Sequence, residues 1–538
     1  MTTQNLAAGK SKSAFSKGML TMYFYTAVAM VNSACNGYDG SLMGSINAMA
    51  QYNGYFNRYD NCAVVSDGTS NPCGPSDSIT GLIMSINSVG TILATPVSGY
   101  LCDKYGRRMA MGIGSALIIV AAAIQSAAVH VAMICIGRFL LGFGSAISLV
   151  ASPTLITEMA PARMRGRLTG TYNCFWYAGS LIAAGVTYGT LSMPSTGAFR
   201  IPLGLQALPS LVNLSLIWFI SESPRWLVAN NREEEAWQLL VKLHADGDES
   251  DPVVKAEFDE ITQTIEEEKK IKRSSWYELI ATRECYMLFY FSLFYYIRFS
   301  NSLIPAGNRY RMRLNICIGL FGQWSGNNLV GYYLPRVLTE AGITNTHTQL
   351  LINIIVNIWN FFCAITGTIL IDILGRRPMV IFATAMATLW LMMLCIFTAI
   401  YGGTGEQGIT MVAFVFLFYG LFSSGWTPMQ ALYPVEVLSY PMRANGMAAN
   451  AFFANIAQFV NQFATPVAMT NIGWRFYIVY VVWDAFELFV VSKYFVETKG
   501  RTLEDLDHIF NKTTPHDVEH AEKPASVSED GERNAEKI

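Results

Sequence analysis

Apolar residues in this chain gather into runs of about 20. They lie near 20–45, 79–101, 110–128, 131–156, 171–191, 202–220, 313–337, 350–371, 379–401, 409–432, 446–468 and 475–494. A helix of about 20 apolar residues crosses a hydrocarbon core of about 30 Å, so the pattern predicts twelve membrane-spanning helices and an all-α membrane protein. Between the sixth and seventh runs the pattern breaks. The stretch "NNREEEAWQLLVKLHADGDESDPVVKAEFDEITQTIEEEKKIKRSS" is densely charged and reads as amphipathic helices outside the membrane. The tail beyond about Asn511 is polar, a composition that cannot bury a core of its own.

Composition strengthens this reading. The 538 residues are 52% hydrophobic and only 14% charged, against roughly 25% charged in soluble domains. The mean hydropathy is +0.30. A water-soluble globule is excluded, and a net charge of −2 gives no reason to expect a nucleic-acid partner. The first eighteen residues are polar and the run after them is too long for a signal peptide. The ten cysteines show no metal-type spacing, so no metal is expected. Cys62 and Cys73 share a polar loop, and a disulfide between them is expected if that loop lies outside the cell.

The chain also repeats itself. Asp103-x-x-Gly106-Arg107-Arg108 returns as Asp372-x-x-Gly375-Arg376-Arg377, 269 residues on. Glu158 and Arg165 return as Glu436 and Arg443, and Glu222 in "SESPRWL" as Glu497 in "VETKGR". Three motifs in one order at nearly one offset imply two homologous six-span halves, a common transporter plan with the substrate site between the halves. Short basic loops favour the cytoplasm, which places both termini there. The expected organisation is an N-terminal tail (1–18), a six-helix bundle (19–228), a cytoplasmic helical linker (229–308), a second bundle (309–498) and a cytoplasmic tail (499–538). Within the linker, residues 284–306 ("ECYMLFYFSLFYYIRFSNSLIPA") are anomalous. They are apolar enough for a thirteenth span, yet a simple extra crossing would invert the second half and put its basic loops outside.

Asp39, in "GYDGS", closes the first apolar run. An acid at membrane depth costs about 2.5–3.5 kcal/mol on insertion scales and marks an ion or substrate path by default. Asp484 and Glu487 in the twelfth run are equally out of place, and the pattern assigns them no role.

In order along residues 19–510 stand "GYDGS", "DKYGRR", "GRFLLGFG", "EMAPARMRGRL", "SESPRWL", "GQWSGNNLVGYY", "DILGRRP", "YPVEVLSYPMRANG" and "ETKGRTLEDL". Together they resemble the sugar porter family of the major facilitator superfamily, and within it the fungal lactose and cellodextrin permeases. The resemblance implies two pseudo-symmetric bundles, alternating access, a small-molecule sugar as substrate, a monomer in the lipid bilayer of a fungal plasma membrane, and no cofactor beyond a coupling proton. It also makes residues 284–306 extra: similar chains run from a segment like "WYELIATR" almost directly into one like "GNRYRMRLN". The Phe-, Tyr-, Leu- and Ile-rich insert suits a short intron translated in frame.

By the same resemblance Asp39 takes the proton and Arg138, in "IGRFLLG", is its partner. An adjacent arginine favours the carboxylate and burial favours the acid, so breaking the pair would switch Asp39 between releasing and holding a proton. A static pair fixing spans one and four is the plainer alternative. The sugar site is expected to use Gln323, Asn328, Tyr332, Tyr333, Asn173, Asn360 and Trp426. Amides offer donors and acceptors without charge, although each could equally serve as an inter-helix hydrogen bond. Arg107, Arg108, Glu158, Arg165 and Glu222, with Arg376, Arg377, Glu436, Arg443 and Glu497, are expected to form a cytoplasmic gate. Two departures bear on the substrate. Gly322 replaces the first of a usual Gln pair, and Ala431 stands where hexose porters commonly have Trp. Loss of an amide and an indole should enlarge the cavity, which favours proton-coupled uptake of a disaccharide such as lactose or cellobiose over hexose or pentose transport. A non-transporting sugar sensor is less favoured because the tail is short. No nucleophile–base pair or phosphate loop suggests an enzyme.

Overall fold

The computed structural model describes residues 16–56, 75–270, 306–402, 408–438, 443–499 and 510. Cys62, Cys73 and residues 284–305 lie outside the described residues. Among those described, all regular structure is helical. The first half comprises α1 (Lys17–Ile46), a short α2 (Ala50–Phe56), α3 (Asp77–Tyr105), α4 (Arg107–Ser126), α5 (Val131–Met159), α6 (Ala162–Thr190), and a sixth crossing split into α7 (Gly197–Leu205) and α8 (Ala207–Leu216). Then come α9 (Pro224–Ala229) at the end of the first half, and α10 (Glu233–His244) and α11 (Pro252–Lys270) in the charged stretch that follows it. The second half comprises a broken crossing, α12 (Ala306–Trp324) and α13 (Asn327–Glu340), followed by α14 (Thr346–Leu374), α15 (Arg376–Tyr401), α16 (Gly408–Val437), α17 (Arg443–Ile472) and α18 (Arg475–Tyr494). The twelve crossings match the twelve apolar runs.

Among the described residues, seven crossings are long and apolar enough to span a membrane by composition alone: α3, α4, α5, α7–α8, α14, α15 and α16. The others carry more polar residues, and several of these are buried, such as Asn32, Ser33 and Asp39 on α1 and Asp484 and Glu487 on α18. A side chain that faces protein need not be apolar to lie at membrane depth.

The halves meet along two helix pairs, α3 with α17 and α6 with α14, and α13 also packs on α1. Within the first half α1 and α6 run in close contact: a Cβ on Gly37 would lie 1.7 Å from the Trp176 carbonyl oxygen. The two faces of the molecule differ. On the face opposite the linker helices, one apolar core runs across both halves and includes Leu42, Ile46 and Met84 with Leu329, Val330 and Leu334. On the linker face, the core formed by the start of α1, the end of α5 and helices α9–α11 draws on the first half alone.

Candidate functional site

Asp39 is 6% exposed and Arg138 only 1%. The Arg138 Nη1 donates to Asp39 Oδ1 at 3.0 Å. Arg138 is also held by two backbone carbonyls of α3, with Nε donating to Ile83 at 2.6 Å and Nη2 to Met84 at 3.4 Å. Two amides complete the cluster. Gln206 Nε2 donates to Asp39 Oδ1 at 2.9 Å and Asn87 Nδ2 to Oδ2 at 3.2 Å. Gln206 sits at the seam between α7 and α8, so four helical elements converge on one carboxylate. The sequence reading missed Gln206 and Asn87. An isolated amide in an apolar run gives no clue to its partner, and this pairing spans 167 residues for Gln206.

The second half supplies amides in three tiers. Asn328 Nδ2 donates to Gln323 Oε1 at 3.1 Å across the break between α12 and α13. Gly326 makes that break in the left-handed region at φ +77°, where glycine carries no Cβ penalty. Tyr333 lies at a kink in α13, and its hydroxyl donates to the Gln462 carbonyl at 2.7 Å. The Tyr332 hydroxyl accepts from Gln458 Nε2 at 3.0 Å and lies within electrostatic reach of Asp39 and Arg138. On α14 a buried stripe carries Asn353, Asn357 and Asn360. Asn353 donates to Ser45 of α1 at 3.0 Å, and Asn357 to Asn353 Oδ1 at 3.0 Å. Asn360 is fully buried, and neither of its amide atoms has a hydrogen-bond partner among the described residues. Asn173 is half-buried on α6, one turn before Tyr177, whose hydroxyl meets Ser423 and Thr427 of α16 at 2.7 and 3.1 Å.

Two further positions bear on the site. Trp426 is fully buried against Phe321, and its indole N–H donates to Thr384 of α15 at 3.0 Å. Its indole nitrogen is thus committed to helix packing. Gly322 does not leave a hole: a Cβ there would lie 2.6 Å from Gln430 Nε2, so an amide from α16 fills the space of the missing one.

On the linker face the repeated motifs build two matching networks. In the first half the guanidinium of Arg107 grips Glu158, with Nε 3.1 Å from Oε2, and Ser223 Oγ donates to the same carboxylate. Glu222 accepts from the backbone N–H groups of Arg107 (2.8 Å), Arg108 (3.1 Å) and Ser223 (3.0 Å). Burial nonetheless pushes the Glu222 carboxyl above its ordinary range. The Arg108 guanidinium lies over the Trp218 ring. In the second half Arg376 Nη2 donates to Glu436 at 2.8 Å, Thr498 Oγ1 donates to Glu436, and Glu497 accepts from the N–H groups of Arg376 and Arg377, both at 3.0 Å. Gly106 and Gly375 have φ of +93° and +103°, and a Cβ on either would collide with the carboxylate beneath it. Among the described residues, every bond of these two networks lies within its own half. The side chains of Arg165 and Arg443 lie outside the described residues. On the opposite face an ion pair joins the halves, with Arg336 Nη1 3.2 Å from Asp77 Oδ1.

Two six-helix halves, duplicated charge networks on one face and a polar seam between the halves define a membrane transporter of the major facilitator superfamily. The family model described as "Sugar (and other) transporter" matches residues 25–510, and the chain belongs to that family. It is 26% identical over 514 residues to a high-affinity glucose transporter of Kluyveromyces lactis, covering 92% of this chain and 86% of that one. It is 28% identical over 486 residues to the MFS-type transporter criB of Aspergillus cristatus, covering 90% and 92%. Among solved structures, the xylose transporter XylE from E. coli in a partially occluded inward-open conformation matches with a TM-score of 0.70 at 21% identity, covering 90% of this chain and all of that one. XylE is also solved as a proton:xylose symporter bound to 6-bromo-6-deoxy-D-glucose, again at a TM-score of 0.70. The chain is thus a multi-pass sugar transporter rather than an enzyme, and the proteins it resembles in sequence include glucose transporters.

Proposed function

We propose that this protein couples uptake of a sugar to a proton across a fungal plasma membrane, as a monomer, with both termini and the linker face in the cytoplasm. The observation that carries coupling is the way Arg138 is held. When Asp39 is protonated the ion pair is lost, but Arg138 keeps the Ile83 and Met84 carbonyls. A buried charge left without acceptors costs several kcal/mol, and these carbonyls reduce that cost. Asp39 can therefore change charge without stranding its partner. The proton carried by XylE, a structural neighbour, supports the same reading.

Gln323, Asn328, Tyr332, Asn173 and above all Asn360 form the proposed sugar site, with Tyr333 anchoring the kink beside it. The apolar core shared across the opposite face and the Asp77–Arg336 pair fit an inward-facing state, in which the linker-face networks brace each half. For the substrate, Ala431 favours a disaccharide such as lactose or cellobiose. Gln430 in the space beside Gly322, together with the glucose-transporting relatives, favours a hexose.

Uptake of radiolabelled lactose and glucose into yeast lacking such carriers, each competed with the other and with cellobiose, decides between them. External pH is scanned in the same assay. Faster entry at acid pH, with Asp39→Asn abolishing accumulation but sparing exchange, is the expected result. Accumulation unaffected by pH or by Asp39→Asn would sink coupling and leave Asp39 a structural partner of Arg138.

A further inference from the structure

Two acids remain outside this account. Asp484 and Glu487 lie one turn apart on the buried stripe of α18, 1% and 0% exposed. Glu487 Oε1 accepts from the Trp483 indole N–H, and Oε2 lies 2.7 Å from Ser325 Oγ. Neither oxygen of Asp484 has a hydrogen-bond partner among the described residues. The nearest phenol on the same stripe, Tyr480, is engaged with Asn461 Oδ1 at 2.6 Å.

Ser325 is the decisive neighbour. Its hydroxyl also hydrogen-bonds the Phe321 carbonyl. A hydroxyl has one proton to donate and can accept as well. The Phe321 carbonyl can only accept. With Glu487 ionised, Ser325 must split its single proton between two acceptors; with Glu487 protonated and donating to Ser325, each contact has a proton of its own. The surroundings point the same way. From α12 the pair faces Cys317, Phe321 and Trp324. From α17 come Asn461 and Thr465, through Tyr480. Leu391 of α15 and Phe418 of α16 close on Gly326 next to Tyr480. Among the described residues no arginine, lysine or histidine forms an ion pair with either acid. The cations of α15, Arg376 and Arg377, are held at its linker-face end. Two like charges one turn apart cannot both persist in such a place.

We propose that Asp484 and Glu487 form a second proton-binding site, separate from Asp39, whose proton sets the break in the seventh crossing. The proton comes from water, forms one O–H bond on a carboxyl oxygen and returns to water when released; no other bond changes. With the proton bound, the chain Glu487–Ser325–Phe321 reinforces the last turn of α12, where the Ser325 backbone N–H also donates to the Phe321 carbonyl at 3.2 Å. Without it, Ser325 turns its proton to the carboxylate and the Phe321 carbonyl loses a donor. That turn also holds Gln323, whose carbonyl accepts from Asn461 at 2.7 Å, so the site's charge reaches the proposed sugar ligands within two residues. Half-helix ends beside coupling-ion sites are a recurrent transporter device.

Infrared spectroscopy of the full-length protein in proteoliposomes tests this. The expected spectrum contains a carboxylic-acid carbonyl band at neutral pH that shifts in D2O, survives Asp39→Asn and weakens in Asp484→Asn and in Glu487→Gln. Survival in Asp39→Asn keeps this result separate from the coupling reading above. Absence of the band in the unmodified protein overturns the proposal without need of any variant, as does a band unchanged by both substitutions. Glu487→Gln mimics the protonated acid in shape and donor. It should keep sugar binding while deleting one inflection from the pH profile of the sugar dissociation constant. An unaltered profile would equally overturn the proposal, because a merely structural acid would leave it in place.

Discussion

A buried amide with both atoms unbonded destabilises a protein by about 1–3 kcal/mol unless something else satisfies it. Asn360 is such a residue, and a sugar hydroxyl or trapped water is the natural partner. Asn360→Leu should therefore raise the melting temperature of the purified protein while weakening sugar affinity by roughly 10- to 100-fold, the worth of one to two lost hydrogen bonds. Thermal denaturation and equilibrium binding on the same preparation check both halves of that statement. A drop in both would make Asn360 structural. At this scale the sequence was legible where a residue type is costly in its setting. Asp39 stood out because a charge at membrane depth is costly; the family resemblance supplied Arg138 as its partner, and the two lie 3.0 Å apart. For Trp426 the residue type alone does not decide, because an indole is equally at home in a core or lining a cavity; the structure adds its bond to Thr384. Gln430 was overlooked because the missing amide of Gly322 is replaced from another helix, 108 residues away.

Elements carry the next set of consequences. The turns α3–α4 and α14–α15 are near copies. Each passes through a glycine whose backbone angles suit almost no other residue, capped by a carboxylate from the end of the half. Gly375→Ala should cost about 1–3 kcal/mol in backbone strain alone and displace Glu497 from the backbone N–H groups of Arg376 and Arg377. Surface expression and thermal stability should fall together, as they should for Gly106→Ala. On the opposite face Asp77→Asn keeps the start of α3 but removes the ion pair with Arg336. Both partners are about a third exposed, so the pair is worth about 0–1 kcal/mol. The expected result is a shift of up to about fivefold toward the outward-open state, read as faster labelling of cysteines introduced along the α3–α17 seam. The repeat of these motifs was readable from offsets alone. The breaks in the sixth and seventh crossings were not: Pro202 and Pro209 flank Gln206 but sit inside the two half-helices and do not mark the seam, and no proline stands at Ser325-Gly326.

For the whole molecule, twelve apolar runs and one duplicated motif set were enough to imply the architecture, because a membrane forces backbone groups to bond internally and leaves helices as the open choice. What runs cannot convey is which face is sealed. That depends on packing between residues 250 or more positions apart, such as Tyr177 with Thr427 and Arg336 with Asp77. Residues 284–306 belong to this scale too. If they derive from an intron, mature transcripts will join the codons of Arg283 and Gly307 directly, and the shortened protein will transport. Transcripts that retain the segment would refute that origin.

The seam also has a consequence for how the chain is assembled. Helix α3 meets α17 as α14 meets α6, so the same surface is used twice, once by each half, about an approximate two-fold axis. Such a contact is isologous, the kind that joins two subunits of a symmetric dimer. With the described bonds of each charge network lying inside its own half, the molecule is in effect a dimer of unlike subunits whose concentration for each other is fixed by the linker. The rocking of a transporter then becomes a quaternary change, carried out within a single polypeptide.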